Sequence, residues 1–234
     1  MGPYKFQVVQ SFTYLGSDAH CKNDISAEIQ KCILTANRCF HGLWKHLRSH
    51  LTSKLMYRVI IRPVLTYASK TWTLHKTNEQ WLSLFKRKVL RCIFGAKEEN
   101  ETRRKRYNYE LYEAFNEPNI VNYIRVNRLA WAGHLMHMNN DTILKKIFNT
   151  KPDGVRRDGR PKLQWEDGVD QDMRIMEVKN WKKVAHDRDE WAKRLKKARA
   201  NQRLLSQWWW WNQGGWDVCD MWYTQDNAEM HTEF

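Results

Sequence analysis

The chain has little glycine and less proline, 10 and 5 in 234 residues. That excludes collagen-like repeats and a Gly/Pro-rich linker as its main substance. Cysteine is scarce as well. Cys21, Cys32, Cys39, Cys92 and Cys219 are odd in number and irregularly spaced, with no secretion signal before them. No disulfide framework is expected, and the five read as reduced intracellular thiols. No run approaches ~20 consecutive apolar residues, so neither a transmembrane helix nor a membrane partner is expected. The opening Met1-Gly2-Pro3-Tyr4-Lys5-Phe6 has no apolar signal-peptide core, and no Ser or Thr at the sixth position for myristoylation. Finally, the sequence holds no Asp-Asp pair.

What the chain has is positive charge. Lys and Arg number 40 against 26 Asp and Glu, a formal net charge of +14. The balance is uneven. Residues 204–234 contain no Lys or Arg and five acids, Asp217, Asp220, Asp226, Glu229 and Glu233, so the body before them carries five charges more than the whole. Such an excess repels itself unless a polyanion is bound. Nucleic acid is the first expectation and an anionic surface the second. A hydrophobic fraction of 42% with 13% aromatics is enough to build a core.

The periodicity predicts a mainly α fold. Residues 6–15 (Phe6, Val8, Val9, Phe12, Tyr14, Leu15) are the one β signal, punctuated by Gly16-Ser17-Asp18. A first helix is expected behind an Asn23 or Asp24 cap, with Ile25, Ile29, Cys32, Ile33, Ala36, Phe40, Leu43, Trp44 and Leu47 on its face. A second, from about Thr52, would bury Leu55, Val59, Ile60, Val64 and Tyr67, with Pro63 kinking or ending it. A third would start at Asn78, bury Trp81, Leu82, Phe85, Val89, Cys92 and Ile93, and stop at Gly95. Residues 97–118 read as a charged connector. Beyond it lie a helix from near Pro118 (Ile120, Ile124, Trp131, Leu135), a basic Gly/Pro loop, a helix opened by Pro161 (Trp165, Val169, Met173, Met176), and a last helix from Trp181 to Ala198. The expected organisation is a hairpin over 1–20, a helical bundle over 21–96, the connector 97–118, a second helical region 119–203, and an acidic tail 204–234. The tail holds Trp208–Trp211 in a row and no period of 2 or 3.6. Trp has one codon, so four in succession require a repeated DNA triplet. The tail is expected to be unstructured translated repeat, the alternative being a Trp-rich partner-binding segment.

Six segments in order resemble the C-terminal part of reverse transcriptases from non-LTR retrotransposons, RTE-like endonuclease–reverse transcriptases above all. They are Phe12-Thr13-Tyr14-Leu15-Gly16, Tyr57 to Trp72 (YRVIIRPVLTYASKTW), Arg106 to Tyr112, Arg128 to His134 (RLAWAGH), Gly159-Arg160-Pro161 with Trp165-x-Asp167, and Asp187 to Trp191. Ala68 and Lys70 stand where this family commonly has Gly and Glu, Tyr109 where His is common, and His137 where Arg is common. The resemblance implies a palm-edge hairpin acting as primer grip, then a thumb-like bundle that would hold an RNA–DNA hybrid or template RNA through phosphates and shape. The polymerase itself needs carboxylates for two Mg²⁺ ions, two of them in an aromatic-x-Asp-Asp turn. The first residues here already resemble the hairpin after that turn, so fingers, most of the palm and endonuclease would lie upstream of Met1. No catalytic residue, no metal site and no cofactor are expected in this chain.

The candidate nucleic-acid contacts are therefore Phe12, Tyr14 and Gly16, on a hairpin expected to pack loosely without its palm neighbours. To these are added Lys86, Arg87 and Lys88 among the outward basic residues of the thumb-like helices (Lys31, Arg38, Lys45, Arg48, Lys54, Arg58, Arg91). Arg103, Arg104, Lys105 and Arg106 beside Tyr107 and Tyr109 join charge to stacking surface, and also fit a nuclear-localisation run. Arg156, Arg157, Arg160 and Lys162 form a Gly-punctuated loop before a helix start, suited to phosphate. A zinc site fails on spacing: Cys32 and Cys39 would stand about 10.5 Å apart along one helix, and His46/His50 and His134/His137 lack further ligands. Location is expected to be nuclear or nucleocytoplasmic. The competing reading is a helical protein–protein interaction module without a nucleic-acid role.

Overall fold

A computed structural model describes residues 9–21, 24–44, 50–99, 101–150 and 164–200. The order is β1 (Ser11–Tyr14), β2 (Ser17–His20), α1 (Ser26–Trp44), α2 (His50–Met56), a π-helical turn (Tyr57–Ile61), α3 (Arg62–Leu65), a 3₁₀ turn (Ser69–Thr71), α4 (Lys76–Phe94), β3 (Lys97–Glu99), β4 (Thr102–Arg104), α5 (Asn108–Phe115), α6 (Ile120–Met136), α7 (Ile143–Asn149), α8 (Trp165–Ile175), α9 (Trp181–His186) and α10 (Arg188–Ala200). The chain is mainly helical, with a short N-terminal hairpin, as the periodicity predicts. The expected tail 204–234, the basic loop with Arg156, Arg157, Arg160 and Lys162, the helix start at Pro161, and Lys45, Leu47 and Arg48 lie outside the described residues.

α1 begins where Asp24 Oδ1 accepts the Ser26 amide at 2.9 Å, and buries Ile29, Cys32, Ala36 and Phe40. α4 starts three residues ahead of the expected Asn78 cap, at His75, and stops at Gly95, whose φ of +64° suits a residue without Cβ. The second helix differs most from expectation. Its buried residues are Ser53, Tyr57, Ile61 and Leu65, while Leu55, Val59 and Tyr67 face outward. Pro63 does not end it, since α3 runs on to Leu65. It offers no amide, and the turn before it widens so that the Arg62 N–H reaches Tyr57 O, five residues back. The wide turn makes room for the proline and rotates the buried face, which a 3.6-residue count could not anticipate.

The connector contains structure. β3 and β4 pair antiparallel, with Lys97 opposite Arg104 and Glu98 opposite Arg103. α5 then buries Leu111 and Phe115 in the first core. Two hydrophobic clusters result. The first joins α1 to α5 and the start of α6 through Ile120, Val121 and Ile124. The second joins the rest of α6 (Val126, Leu129, Ala132) to α8, α9 and α10 through Val169, Met173, Trp181 and Trp191. α6 is thus the shared spine. The expected last helix is two, because Asp187 Oδ1 accepts the amides of Asp189 (2.9 Å) and Glu190 (3.1 Å) and starts α10 afresh.

Between the clusters lies a buried ionic network. Arg128 on α6 pairs with Asp172 on α8, donates to Trp72 O at 3.2 Å and to Gly168 O at 3.3 Å. Arg125 pairs with Glu79 on α4 at 2.6 Å and lies 3.6 Å from Asp172. No helix among the described residues is long and apolar enough to cross a membrane.

Candidate nucleic-acid interface

The N-terminal hairpin is a two-residue turn. Leu15 (φ +49°) and Gly16 (φ +83°) both occupy left-handed space, as the tight hairpin connection requires. Phe12 and Tyr14, two residues apart on one strand face, are 57% and 64% exposed, with ring centroids 6.3 Å apart and planes 25° from parallel. The expectation of loose packing is corrected. Buried Glu28 on α1 accepts from Ser17 Oγ at 2.9 Å and from the Asp18 amide at 2.8 Å. Tyr67 Oη donates to Leu15 O at 2.6 Å. Lys31 reaches Gly16 O at 3.1 Å and Asp18 at 3.0 Å. Thr13 and Lys31 together hold the Asp18 carboxyl below its usual range. The hairpin is fixed from two elements, and its aromatic face points away into solvent.

The basic residues expected to face outward from α1 to α4 divide. Lys86 and Arg87 do not face outward: both are buried, at 1% and 4% exposure. Lys86 Nζ donates to Pro118 O at 2.7 Å and sits 4.8 Å from the Phe115 ring centre. Burial pushes its ammonium down to about 7, with the Glu117 charge acting the other way. Its position on a strongly amphipathic helix gave no warning, because its stem packs like an aliphatic chain and its head finds a carbonyl. Lys88, Lys31 and Arg38 are exposed as expected. Lys54 donates to Ala114 O at 2.7 Å, Arg58 pairs with Glu117, and Arg91 donates to Asn108 Oδ1 at 2.7 Å, so these three tie elements together.

The basic run Arg103–Arg106 is split in the same way. Arg104 lies between Glu99 and Glu110 and 4.5 Å from the Tyr107 ring centre. Arg106 donates to Gly95 O at 3.2 Å. Arg103 and Lys105 are exposed. Tyr107 and Tyr109 stack, with centroids 5.8 Å apart and planes 12° apart.

The resembling segments meet in space. Tyr67 of the Tyr57–Trp72 stretch holds the hairpin turn. The same stretch receives Arg128 at Trp72 O, and Trp165 Nε1 donates to Lys70 O at 2.8 Å. Lys70 Nζ stands 5.7 Å from the Trp131 ring centre. Gly133 lies directly under Trp191, and Asp167 caps α8 by accepting the Gln164 amide at 2.8 Å. Tyr67, Lys70, Trp131 and Trp165 were not among the expected contacts. The signal was available: all four lie in the resembling segments, Tyr67 and Lys70 in one, Trp131 and Trp165 in two others.

Cys32 is buried, and its thiol is pushed up to about 12 by burial and by the Glu28 charge. Among the described residues no three His, Cys, Asp or Glu side chains stand close enough to hold a metal ion.

Over 193 residues the chain is 22% identical to a Caenorhabditis elegans protein described as transposon-derived and uncharacterised, covering 78% of this chain and 69% of the relative. No family profile matches the chain, and no solved structure does.

Proposed function

We propose that this chain is a transposon-derived fragment of a non-LTR RNA-directed DNA polymerase, comprising its palm-edge hairpin, thumb and C-terminal helical region. In this reading it binds RNA–DNA hybrid or template RNA without sequence preference and catalyses nothing itself. The transposon-derived relative supports the origin. One observation carries the finer reading. Segments that resemble the polymerase family and lie 52 to 95 residues apart in the chain contact one another, from the hairpin turn through Tyr67, and from Lys70 and Trp72 to Trp165 and Arg128. Drifting resemblance without a common fold would scatter them. The path begins at a hairpin whose turn is held by α1 and Tyr67 and whose two rings are exposed, on a chain of net charge +14. The sequence offers no Asp-Asp pair to hold two metal ions, which supports the absence of catalysis.

The test is anisotropy of a labelled RNA–DNA hybrid across a salt series. Sequence-tolerant binding whose log affinity falls steeply with log salt is expected, because released counterions drive it. Absent or salt-insensitive binding would remove the reading. With primer–template, Mg²⁺ and nucleotides, no extension is expected.

A protein-interaction module is the second reading, and one observation favours it. Ile143, Leu144 and Ile147 on α7 are 75%, 51% and 66% exposed on a short helix. That reading requires a cooperative melt without nucleic acid, a defined protein partner and little salt dependence.

A further inference from the structure

The two tyrosines at the start of α5 are held in a way that burial does not explain. Tyr107 and Tyr109 are 57% and 63% exposed, yet their rings lie nearly parallel, 12° apart. Exposed rings on a helix start ordinarily sample several rotamers. Here the ground beneath them is locked. Glu110 is 8% exposed at its side chain and accepts from Lys97 Nζ at 2.9 Å, from Arg104 at 2.8 and 2.9 Å, and from the Tyr107 amide at 2.8 Å. These hydrogen bonds, Arg104 first, hold its carboxyl far below the usual range. Arg104, fixed by Glu110 and Glu99, brings its guanidinium to 4.5 Å from the Tyr107 ring centre. Arg91 pins the helix start from α4 through Asn108. A guanidinium and two phenol rings thus stand together at the surface, and both rings remain open to solvent.

We infer that Tyr107 and Tyr109 form a stacking platform for an unpaired nucleobase, so that this edge of the protein takes single-stranded nucleic acid. The inference rests on the proposed nucleic-acid affinity and gives it a second, distinct site. A flat aromatic face suits a base because every base presents a π surface. In a duplex those faces are already stacked on neighbouring pairs, so only an unpaired base can use the platform. The rim supplies phosphate partners. Arg103 and Lys105 are exposed in the segment that leads into Tyr107, and Arg106 between them and the ring is half-buried with its Nε on Gly95 O. The nearest acids work against them only in part. Glu99 and Glu110 are engaged by Arg104 and Lys97, and Glu98 stands across the strand pair from Arg103. Charge neutralisation alone would leave the two rings without a role; stacking accounts for both their parallel arrangement and their exposure.

The experiment uses the full chain and anisotropy of three short labelled probes: single-stranded RNA, the same strand as DNA, and the RNA–DNA hybrid. The variants are Tyr107→Leu, Tyr109→Leu and Tyr109→Trp, each checked for an unchanged melt by circular dichroism, as exposed side chains allow. Each Leu variant is expected to lose roughly 5- to 150-fold in single-strand affinity, the value of one base–aromatic stack. Hybrid affinity should stay within twofold, and Tyr109→Trp should keep the single-strand affinity. The RNA and DNA arms show whether a 2′-hydroxyl contributes. If the Leu variants change nothing, or weaken strand and hybrid alike, the platform is refuted while the hybrid reading stands. Wild-type binding to the hybrid but to neither single strand refutes it too. Failure of the wild-type chain to bind any probe overturns both proposals.

Discussion

Replacing Gly133 with alanine is the sharpest test of how the second core is packed. A Cβ built on Gly133 would lie 2.0 Å from Trp191 Nε1, 2.4 Å from Cδ1 and 2.8 Å from Cε2. These atoms belong to a rigid indole that is 4% exposed and packed against Trp181, so it has no open space to swing into. Two effects oppose each other. Alanine gains about 1 kcal/mol over glycine in a helix interior. Overpacking a filled core costs about 1–3 kcal/mol, and expelling a buried Trp outright costs about 3–5 kcal/mol. Since the contact is far inside van der Waals range and the partner is a stiff ring, the steric cost wins, and a net loss of about 1–3 kcal/mol is expected. The assay is urea unfolding followed by far-ultraviolet circular dichroism, which avoids the many tryptophan signals. Trp191→Leu in the same background should recover part of the loss, a coupling that a cycle of single and double variants measures. A Gly133→Ala protein as stable as wild type, or more stable, would refute the close approach of α6 and α10.

Three other outcomes follow from the same structure. Asp172→Ala leaves the Arg128 guanidinium buried without its carboxylate and should cost about 3–5 kcal/mol in the same unfolding assay. Lys86→Met should stabilise the protein, most at pH 7 and below. The folded ammonium titrates at about 7 instead of near 10.5, so between those values the unfolded chain binds the extra proton, and wild-type stability rises with pH by up to about 1.4 kcal/mol per unit. The variant should lack that rise, and melting at pH 6.5 and 9.5 checks it. Ala68→Gly should raise stability by about 1 kcal/mol. Ala68 adopts φ +55°, where a Cβ is penalised, and thermal melting of the variant measures the gain.

Much of the architecture was legible because long amphipathic helices announce themselves. α1, α4 and α6 bury most of the residues that their periodicity selects, but Trp44 at the end of α1 and Cys92 on α4 are exposed and Trp131 on α6 is half-buried; Gly95 ends α4 where a glycine should. What was not legible has physical causes. The second helix buries Ser53, Tyr57, Ile61 and Leu65 in place of Leu55, Val59 and Tyr67, and it contains a π-helical turn over Tyr57–Ile61 that no 3.6-residue template includes. The hairpin of β3 and β4 is made of charged residues whose pairing depends on Glu110 beyond it, so composition reads it as a linker. Lys86 counts as a surface cation in any charge tally, although its head is satisfied by Pro118. In the candidate interface, Phe12 and Tyr14 stand exposed as the resemblance implies, and Gly16 makes the turn that carries them. Tyr67, which anchors that turn, was expected as a buried helix residue and is instead half exposed, with its hydroxyl on Leu15 O. Ala68 shows the reverse case: a departure from the glycine common in the polymerases that the segment resembles falls on a backbone position where glycine is the relaxed choice.

The most direct test of the central reading is the salt dependence of RNA–DNA hybrid binding by the full chain. The account predicts sequence-tolerant binding with a slope of log affinity against log salt well below −1, reflecting several neutralised phosphates. A flat slope, or no binding at low salt, would contradict it.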